Sequence, residues 1–239
     1  AVPFVTAMVQ GLTEQNVTPC LKHFPGNGAT AQDVHTGQAV SDRTLEQFQA
    51  EEVAGFQAGI DAGAPMVMGS LMAAPALTGS NEPCALSKEV VTDLLRGQLG
   101  FQGVVITDAS HMAGIACMEK REVAVPKAIA SGCDMFLFSN DAEEDFGYMK
   151  AGVESGVITA ERLDDALHRI LGLKAKLGLY KKENVIPAPE LKDQVVGCEE
   201  HKKLAEEAAE RCITLVKDTK GDLPIDPAQK KRARLVFIQ

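Results

Sequence analysis

The sequence predicts an α/β fold, in which strands and helices alternate along the chain. Four short apolar runs each end in a polar residue or a glycine, a pattern typical of strands buried on both faces of a parallel sheet. Stretches with helical periodicity separate these runs, as the α/β class requires. The predicted strands are residues 18–23, 65–69, 104–108 and 135–139.

The connecting helices have recognisable starts and stops. Ser41 or Asp42 is the predicted N-cap of the first, because a short polar side chain there accepts a hydrogen bond from a free backbone N–H. This helix should end just before Gly63. Thr159 is the predicted start of the longest helix, and Gly178 its stop.

Two architectures, a TIM barrel and a doubly wound sheet, fit the predicted order of strands and helices. Polar residues cluster at the C-terminal ends of the predicted strands, which is where a TIM barrel places its active site. A doubly wound sheet fits the same alternation equally well. No Gly-x-Gly-x-x-Gly follows a strand, so the dinucleotide-binding version of that sheet has no support.

After Tyr180 the character of the chain changes. Residues 181–198 contain two prolines and read as a linker. An Ala-rich helix is predicted from about 199 to 211, followed by strands at 213–216 and 235–238. We interpret 1–180 as one domain and 199–239 as the truncated start of a second.

The amino-acid composition argues against several classes of binding partner. The 33 acidic residues outnumber the 24 basic ones, giving a net charge of −9 that disfavours nucleic acid and anionic membranes. No apolar run of about 18 residues predicts a spanning helix, and the first ten residues do not form a signal peptide. Six scattered cysteines fit free thiols, so a cytoplasmic location is expected. With no Trp and two Tyr, polar contacts are expected to dominate ligand binding.

The densest chemical signal is the stretch KHFPGNG, which begins at Lys22 and His23 and is followed by Asp33 and His35. A strand delivers a cation and an imidazole to the sheet edge, and the glycines free the backbone for a loop. An aspartate that accepts a hydrogen bond from one imidazole nitrogen fixes the tautomer, leaving the other nitrogen to exchange a proton with substrate. Alone, such a pair is more often an incidental surface contact.

Asp108 ends the apolar strand VVITD, a natural position for a nucleophile or a general base. The simpler interpretation is that Asp108 caps the following helix. His111 lies close after it and, with His23 and His35, invites a metal site. No metal-binding motif supports that reading, so we predict no metal and no cofactor.

Together, KHFPGNG, the Asp33-x-His35 pair and GVVITDASHM resemble the N-terminal domain of family 3 glycoside hydrolases, in particular the β-N-acetylglucosaminidase branch. In that branch a histidine occupies the position of Asn27, and the spacing to Asp33 and His35 is kept. β-Glucosidases of the family usually lack the Asp-x-His pair. The resemblance covers most of residues 1–180, and residues 199–216 resemble the start of the family's α/β sandwich domain.

The resemblance implies a retaining glycosidase acting on terminal β-linked N-acetylglucosamine, from muropeptides in cell-wall recycling or from chitin oligosaccharides. Asp108 would be the nucleophile and His35 the acid/base, oriented by Asp33. Lys22 and His23 would hold sugar hydroxyls. A β-N-acetylglucosaminide phosphorylase, a β-glucosidase and a non-catalytic amino-sugar-binding fragment are the alternatives.

The resemblance also implies a TIM-type (β/α)8 barrel, of which this chain carries the last four βα units. The first half of such a barrel supplies an Asp and an Arg to the sugar subsite. We therefore expect the chain to be a fragment, or to close its sheet with a partner or a second copy, because open strand edges are avoided. Alone, it should have little activity.

Overall fold

A computed structural model describes residues 1–181, 188–221, 223–226 and 228, and is built around one parallel sheet. Its four strands follow sequence order, β1-β2-β3-β4, so each neighbour is reached by a helical crossover. The strands are β1 (Cys20–Phe24), β2 (Met66–Gly69), β3 (Val104–Ala109) and β4 (Met135–Leu137).

All four predicted strands are confirmed, with ends that differ by one or two residues. Leu21 pairs with Val67, which in turn pairs with Val105, so these apolar residues form one row across the sheet. Val67 and Val105 are fully buried. Because the strands are parallel, their C-terminal ends share one edge of the sheet, and that edge carries the motifs.

Helical segments connect the strands. They are α1 (Val2–Glu14), α2 (Leu45–Gln47), a π-helical turn (Phe48–Glu52), α3 (Val53–Asp61), α4 (Pro75–Thr78), a 3-10 turn (Cys84–Leu86), a π-helical segment (Glu89–Gln98), α5 (Ala113–Ala116), α6 (Arg121–Ala130), α7 (Ala142–Glu154) and α8 (Ala160–Lys176).

The helix starts are partly as predicted. Thr159 caps α8 by accepting a hydrogen bond from the Arg162 N–H at 3.2 Å, as expected. The predicted cap at Ser41 or Asp42 is wrong. Thr44 caps α2 in a reciprocal arrangement with Gln47, whose side chain accepts a bond from the Thr44 N–H at 2.9 Å. Ser41 is buried, and its N–H bonds to the Ala73 carbonyl.

The core lies between the sheet and the helices. Phe24, Phe48 and Phe101 are among the largest fully buried side chains. Phe24 at the end of β1 meets Phe56 of α3 edge-on, with ring centroids 5.0 Å apart. This contact fixes the end of β1 against its crossover helix, immediately beside Lys22 and His23.

A second compact unit spans residues 183–239. It contains α9 (Pro189–Val195), which lies inside the predicted linker, and α10 (Glu199–Cys212), which matches the predicted helix. Residues 213–216 have no regular structure and are exposed where a strand was predicted, because no strand pairs with them in the described part of this unit. The strand predicted at 235–238 lies outside the described residues.

Within the described residues, no helix combines the length and the apolar character that crossing a membrane requires.

Candidate active site

β1 and β3 bring a histidine and an aspartate together at the C-terminal edge of the sheet. His23 Nε2 lies 3.4 Å from Asp108 Oδ2, although β2 separates the two strands. The side chains are 26% and 12% exposed, so the pair is mostly shielded while one side stays open to a ligand. Asp108 Oδ1 also accepts a hydrogen bond from the Ala109 N–H at 2.7 Å, which fixes the carboxylate.

The electrostatics of His23 link the predicted site residues to one another. Burial lowers the pKa of His23, because it disfavours the charged imidazolium. The Asp108 carboxylate opposes this shift, and the charges of Lys22 and His35 add to it. Each of these groups is therefore close enough to bias the protonation of the one imidazole.

Asp33 and His35 form a second pair on the loop after β1. His35 Nδ1 lies 2.6 Å from Asp33 Oδ1, and the same oxygen accepts a hydrogen bond from the His35 N–H at 2.9 Å. These two bonds lower the pKa of the Asp33 carboxyl, the backbone one first. Both side chains are exposed, and the bond to Asp33 uses Nδ1 of His35 and not Nε2.

Contacts on either side of His35 tie its loop to the rest of the sheet edge. Asn27 Oδ1 accepts a hydrogen bond from Ser70 Oγ, beyond the end of β2, at 2.5 Å. The Val34 carbonyl accepts one from the Gly114 N–H at 3.2 Å, in the segment that follows Asp108. Val34 is buried, so the backbone next to His35 is anchored while the imidazole stays exposed.

A network behind Asp108 escaped the sequence analysis. Ser110 follows the strand and donates from its N–H to the Leu137 carbonyl at 2.6 Å and from its hydroxyl to the Phe138 carbonyl at 2.5 Å. Arg121 donates to Ser110 Oγ at 3.0 Å and, through Nε, to Asp145 Oδ1 at 2.8 Å. A run of acidic residues such as 143–145 suggests a solvated helix face, yet Asp145 is buried.

Glu52 is a further, mostly shielded carboxylate at this edge, although the pair Glu51-Glu52 suggests a solvated helix face in the sequence. Its Oε1 pairs with Arg43 Nε at 3.2 Å, and its Oε2 is buried without a hydrogen-bond partner. Gly26 begins the loop with φ 137°, and a Cβ there would lie 2.5 Å from Glu52 Cγ. The glycine of the Pro-Gly turn is thus required both by its backbone angle and by this close approach.

Lys22 is placed differently from His23. Its side chain is exposed and borders a cavity shared with Glu52 and Phe56 rather than meeting Asp108. Of the five predicted site residues, the structure joins His23 to Asp108 and Asp33 to His35, and leaves Lys22 at the margin. The described residues contain no cluster of three or more His, Cys, Asp or Glu side chains arranged to hold a metal ion.

Comparisons with known proteins agree with the motifs. Residues 1–173 match the glycosyl hydrolase family 3 N terminal domain. The chain is 39% identical over 240 residues to a β-N-acetylglucosaminidase/β-glucosidase of Cellulomonas fimi, covering 97% of this chain and 42% of that protein. This chain therefore spans less than half the length of that relative.

Two solved structures share the fold over most of the chain. A β-glucoside phosphorylase is 36% identical with a TM-score of 0.85, covering 93% of this chain and 42% of that one. A glycoside hydrolase family 3 β-N-acetylglucosaminidase from Paenibacillus sp. str. FPU-7 is 30% identical with a TM-score of 0.83 and the same coverage. The predicted resemblance is confirmed: this chain belongs to glycosyl hydrolase family 3, and residues 1–173 form part of that family's TIM-barrel-type N-terminal domain.

Proposed function

We propose that this chain carries the nucleophile and the acid/base of a retaining glycosidase that removes terminal β-linked N-acetylglucosamine. The observation that carries the proposal is the arrangement of two histidine–aspartate pairs at one sheet edge, whose loops are joined by the Val34–Gly114 hydrogen bond. The acetamido sugar is favoured because the Paenibacillus relative is named a β-N-acetylglucosaminidase and the Cellulomonas fimi relative a β-N-acetylglucosaminidase/β-glucosidase.

In the first step an Asp108 oxygen attacks the anomeric carbon as the bond to the leaving oxygen breaks. His35 Nε2 gives its proton to that oxygen, and a glycosyl ester on Asp108 remains. In the second step His35 takes a proton from water, the water oxygen attacks the anomeric carbon, and the Asp108 carboxylate is released. Each step inverts the configuration at the anomeric carbon, so the product retains the configuration of the substrate.

Asp33 supports the proton transfers without taking part in them. Its lowered pKa keeps the carboxylate ionised, so that it accepts from His35 Nδ1 and stabilises the imidazolium that forms in the second step. His23 and Lys22 complete the proposal by binding sugar hydroxyls, His23 next to Asp108 and Lys22 from the margin of β1.

The number of strands bears on how complete the sugar site is. It has four parallel strands, whereas a TIM barrel has eight. We infer that these are the last four βα units and that a further segment, or a second copy of the chain, closes the barrel and completes the sugar subsite. The chain alone should then turn over slowly, because incomplete positioning raises the barrier by several kcal/mol.

Phosphorolysis is the second candidate, and one feature favours it. A histidine acid/base adds no negative charge beside the glycosyl ester, unlike the usual second carboxylate, so an anionic phosphate can approach. One of the similar solved structures is described as a β-glucoside phosphorylase. A β-glucosidase and a non-catalytic amino-sugar-binding fragment are the remaining alternatives.

The test is release of nitrophenol from its β-N-acetylglucosaminide, with and without phosphate, by this chain and by Asp108→Asn and His35→Ala. The β-glucoside is the comparison substrate, and Asp93→Asn, an exposed carboxylate, is the control. We expect slow release that prefers the acetamido sugar and is lost in Asp108→Asn. Phosphate-dependent release would establish the phosphorylase. An Asp108→Asn variant as active as the parent chain would contradict the proposal.

A further inference from the structure

Two exposed aromatic rings lie on the segments that follow the neighbouring strands β3 and β4, and neither has a role in the steps above. His111 lies in the turn after β3, three residues beyond Asp108, and Phe138 follows the end of β4. Their ring centroids are 6.0 Å apart with an interplanar angle of 30°, a stacked arrangement. Phe138 is 56% exposed, and His111 is also exposed.

The backbone beneath these rings is held firmly. Ser110 donates two hydrogen bonds into β4 and its extension, to the carbonyls of Leu137 and Phe138. Arg121 reaches both Ser110 Oγ and the Phe138 carbonyl, at 3.0 and 3.4 Å. Met112, the residue after His111, is buried. The rings are thus presented to solvent from a fixed turn, which lowers the entropy lost when a ligand binds them.

The chemistry of the pair selects a ring-shaped ligand. The C–H face of a pyranose buries apolar area against an aromatic face such as that of Phe138, which a small hydrophilic molecule does not. The imidazole edge adds a hydrogen-bonding group for a hydroxyl at the rim of such a ring. In a chain with nine Phe, two Tyr and no Trp, an exposed stacked pair next to the proposed nucleophile is distinctive.

We propose that His111 and Phe138 form the subsite for the leaving-group sugar, a neutral hexopyranose joined through the bond that is cleaved. This inference rests on the proposed function, because it takes Asp108 to mark the position of the transferred sugar. It adds ring stacking to a site where polar contacts are expected to dominate. The ligand class is a β-linked disaccharide rather than a monosaccharide.

The experiment is fluorine NMR on the full chain labelled with 4-fluorophenylalanine. The Phe138 resonance is the one that disappears in Phe138→Leu, and Phe146 on α7, which is 71% exposed, gives the control resonance. The probes are N,N′-diacetylchitobiose and N-acetylglucosamine, and the His23 imidazole protons are followed in the same titrations. We expect the disaccharide to shift the Phe138 and His23 signals saturably and the monosaccharide to shift His23 alone.

Matched variants sharpen the test. His111→Ala should weaken disaccharide binding about three- to tenfold, the range of one aromatic contact, and leave monosaccharide binding unchanged. His168→Ala, an exposed histidine on α8, should change neither. An unmoved Phe138 signal while His23 responds would overturn this inference and leave the proposed function standing. Free nitrophenol is a further probe. A Phe138 signal that shifts with nitrophenol but not with the disaccharide would also overturn the inference. If neither sugar shifts the Phe138 or the His23 signal, both this inference and the proposed function fail.

Discussion

Asp108 and His35 serve the same proposed reaction, yet the two side chains are 12% and 69% exposed. The nucleophile side, defined here as Asp108, Ser110, Arg121 and Asp145, is held by one buried and three partly buried hydrogen bonds. The acid/base side, defined as Asp33 and His35, is organised by two bonds within a single turn.

The difference follows from what each group must do. A nucleophile forms a bond to carbon, so its position must be held within a fraction of an ångström, and a shielded carboxylate fixed by donors meets that need. A proton donor must reach a leaving group that differs between substrates and must also admit water in the second step. Local organisation with solvent exposure suits that task.

The largest expected effect is a loss of rate on the acid/base side that depends on the leaving group of the substrate. His35→Ala should slow release of a poor leaving group such as a sugar by about 10²–10⁴-fold, the usual contribution of a general acid. Release of dinitrophenol, which needs no proton, should be far less affected in the first step. The measurement is the rate ratio of the two substrates, with His168→Ala as the control. Equal losses on both substrates would show that His35 positions the sugar instead.

The next effect concerns stability. Arg121→Ala leaves the buried Asp145 carboxylate unpaired and should lower the free energy of unfolding by about 3–5 kcal/mol, measured in urea. Lys150→Ala, which removes an exposed i,i+4 pair with Glu154, should cost less than about 1 kcal/mol. His35→Ala should leave the melting temperature unchanged. Similar losses for Arg121→Ala and His35→Ala would remove the distinction between the two sides.

The smallest expected effect is a shift in the pKa of His23, to which charges on both sides contribute. Its pKa is lowered below 6.5 by burial, so in the window just below 6.5 the unfolded chain binds more protons and stability rises with pH. Asp108→Asn should lower that pKa further, whereas Lys22→Gln and His35→Ala should raise it. Proton NMR titration of the His23 ring measures these shifts. A higher pKa of His23 in Asp108→Asn would contradict the observed contact between His23 and Asp108.

Much of the fold was predictable because its signals are local. The four strands are apolar runs whose ends are marked by polar residues, and Asp33 and His35 pair within three residues of each other. The helix cap was misplaced because Ser41, Asp42 and Thr44 are all good caps. The two hydrogen bonds between Thr44 and Gln47 identify Thr44 as the cap.

The missed parts of the site depend on long-range packing. Arg121 meets Asp145 across 24 residues, and no spacing rule connects a helix start to a carboxylate on the next helix. The approach of His23 to Asp108 joins β1 to β3 across the intervening β2, and no local sequence signal predicts it. His111 carried a signal, since it lies in the motif after Asp108, but its partner Phe138 emerges only when β4 is placed beside β3.

The most direct test of the account is mass spectrometry of this chain after long incubation with the 5-fluoro derivative of N-acetylglucosaminyl fluoride. The fluorine slows both steps, and the fluoride leaves without a proton, so a glycosyl ester accumulates on the nucleophile. The account predicts one added sugar on the peptide that contains Asp108, retained in His35→Ala and absent in Asp108→Asn. A label on another residue, or an unlabelled chain that is folded and binds the sugar, would contradict it.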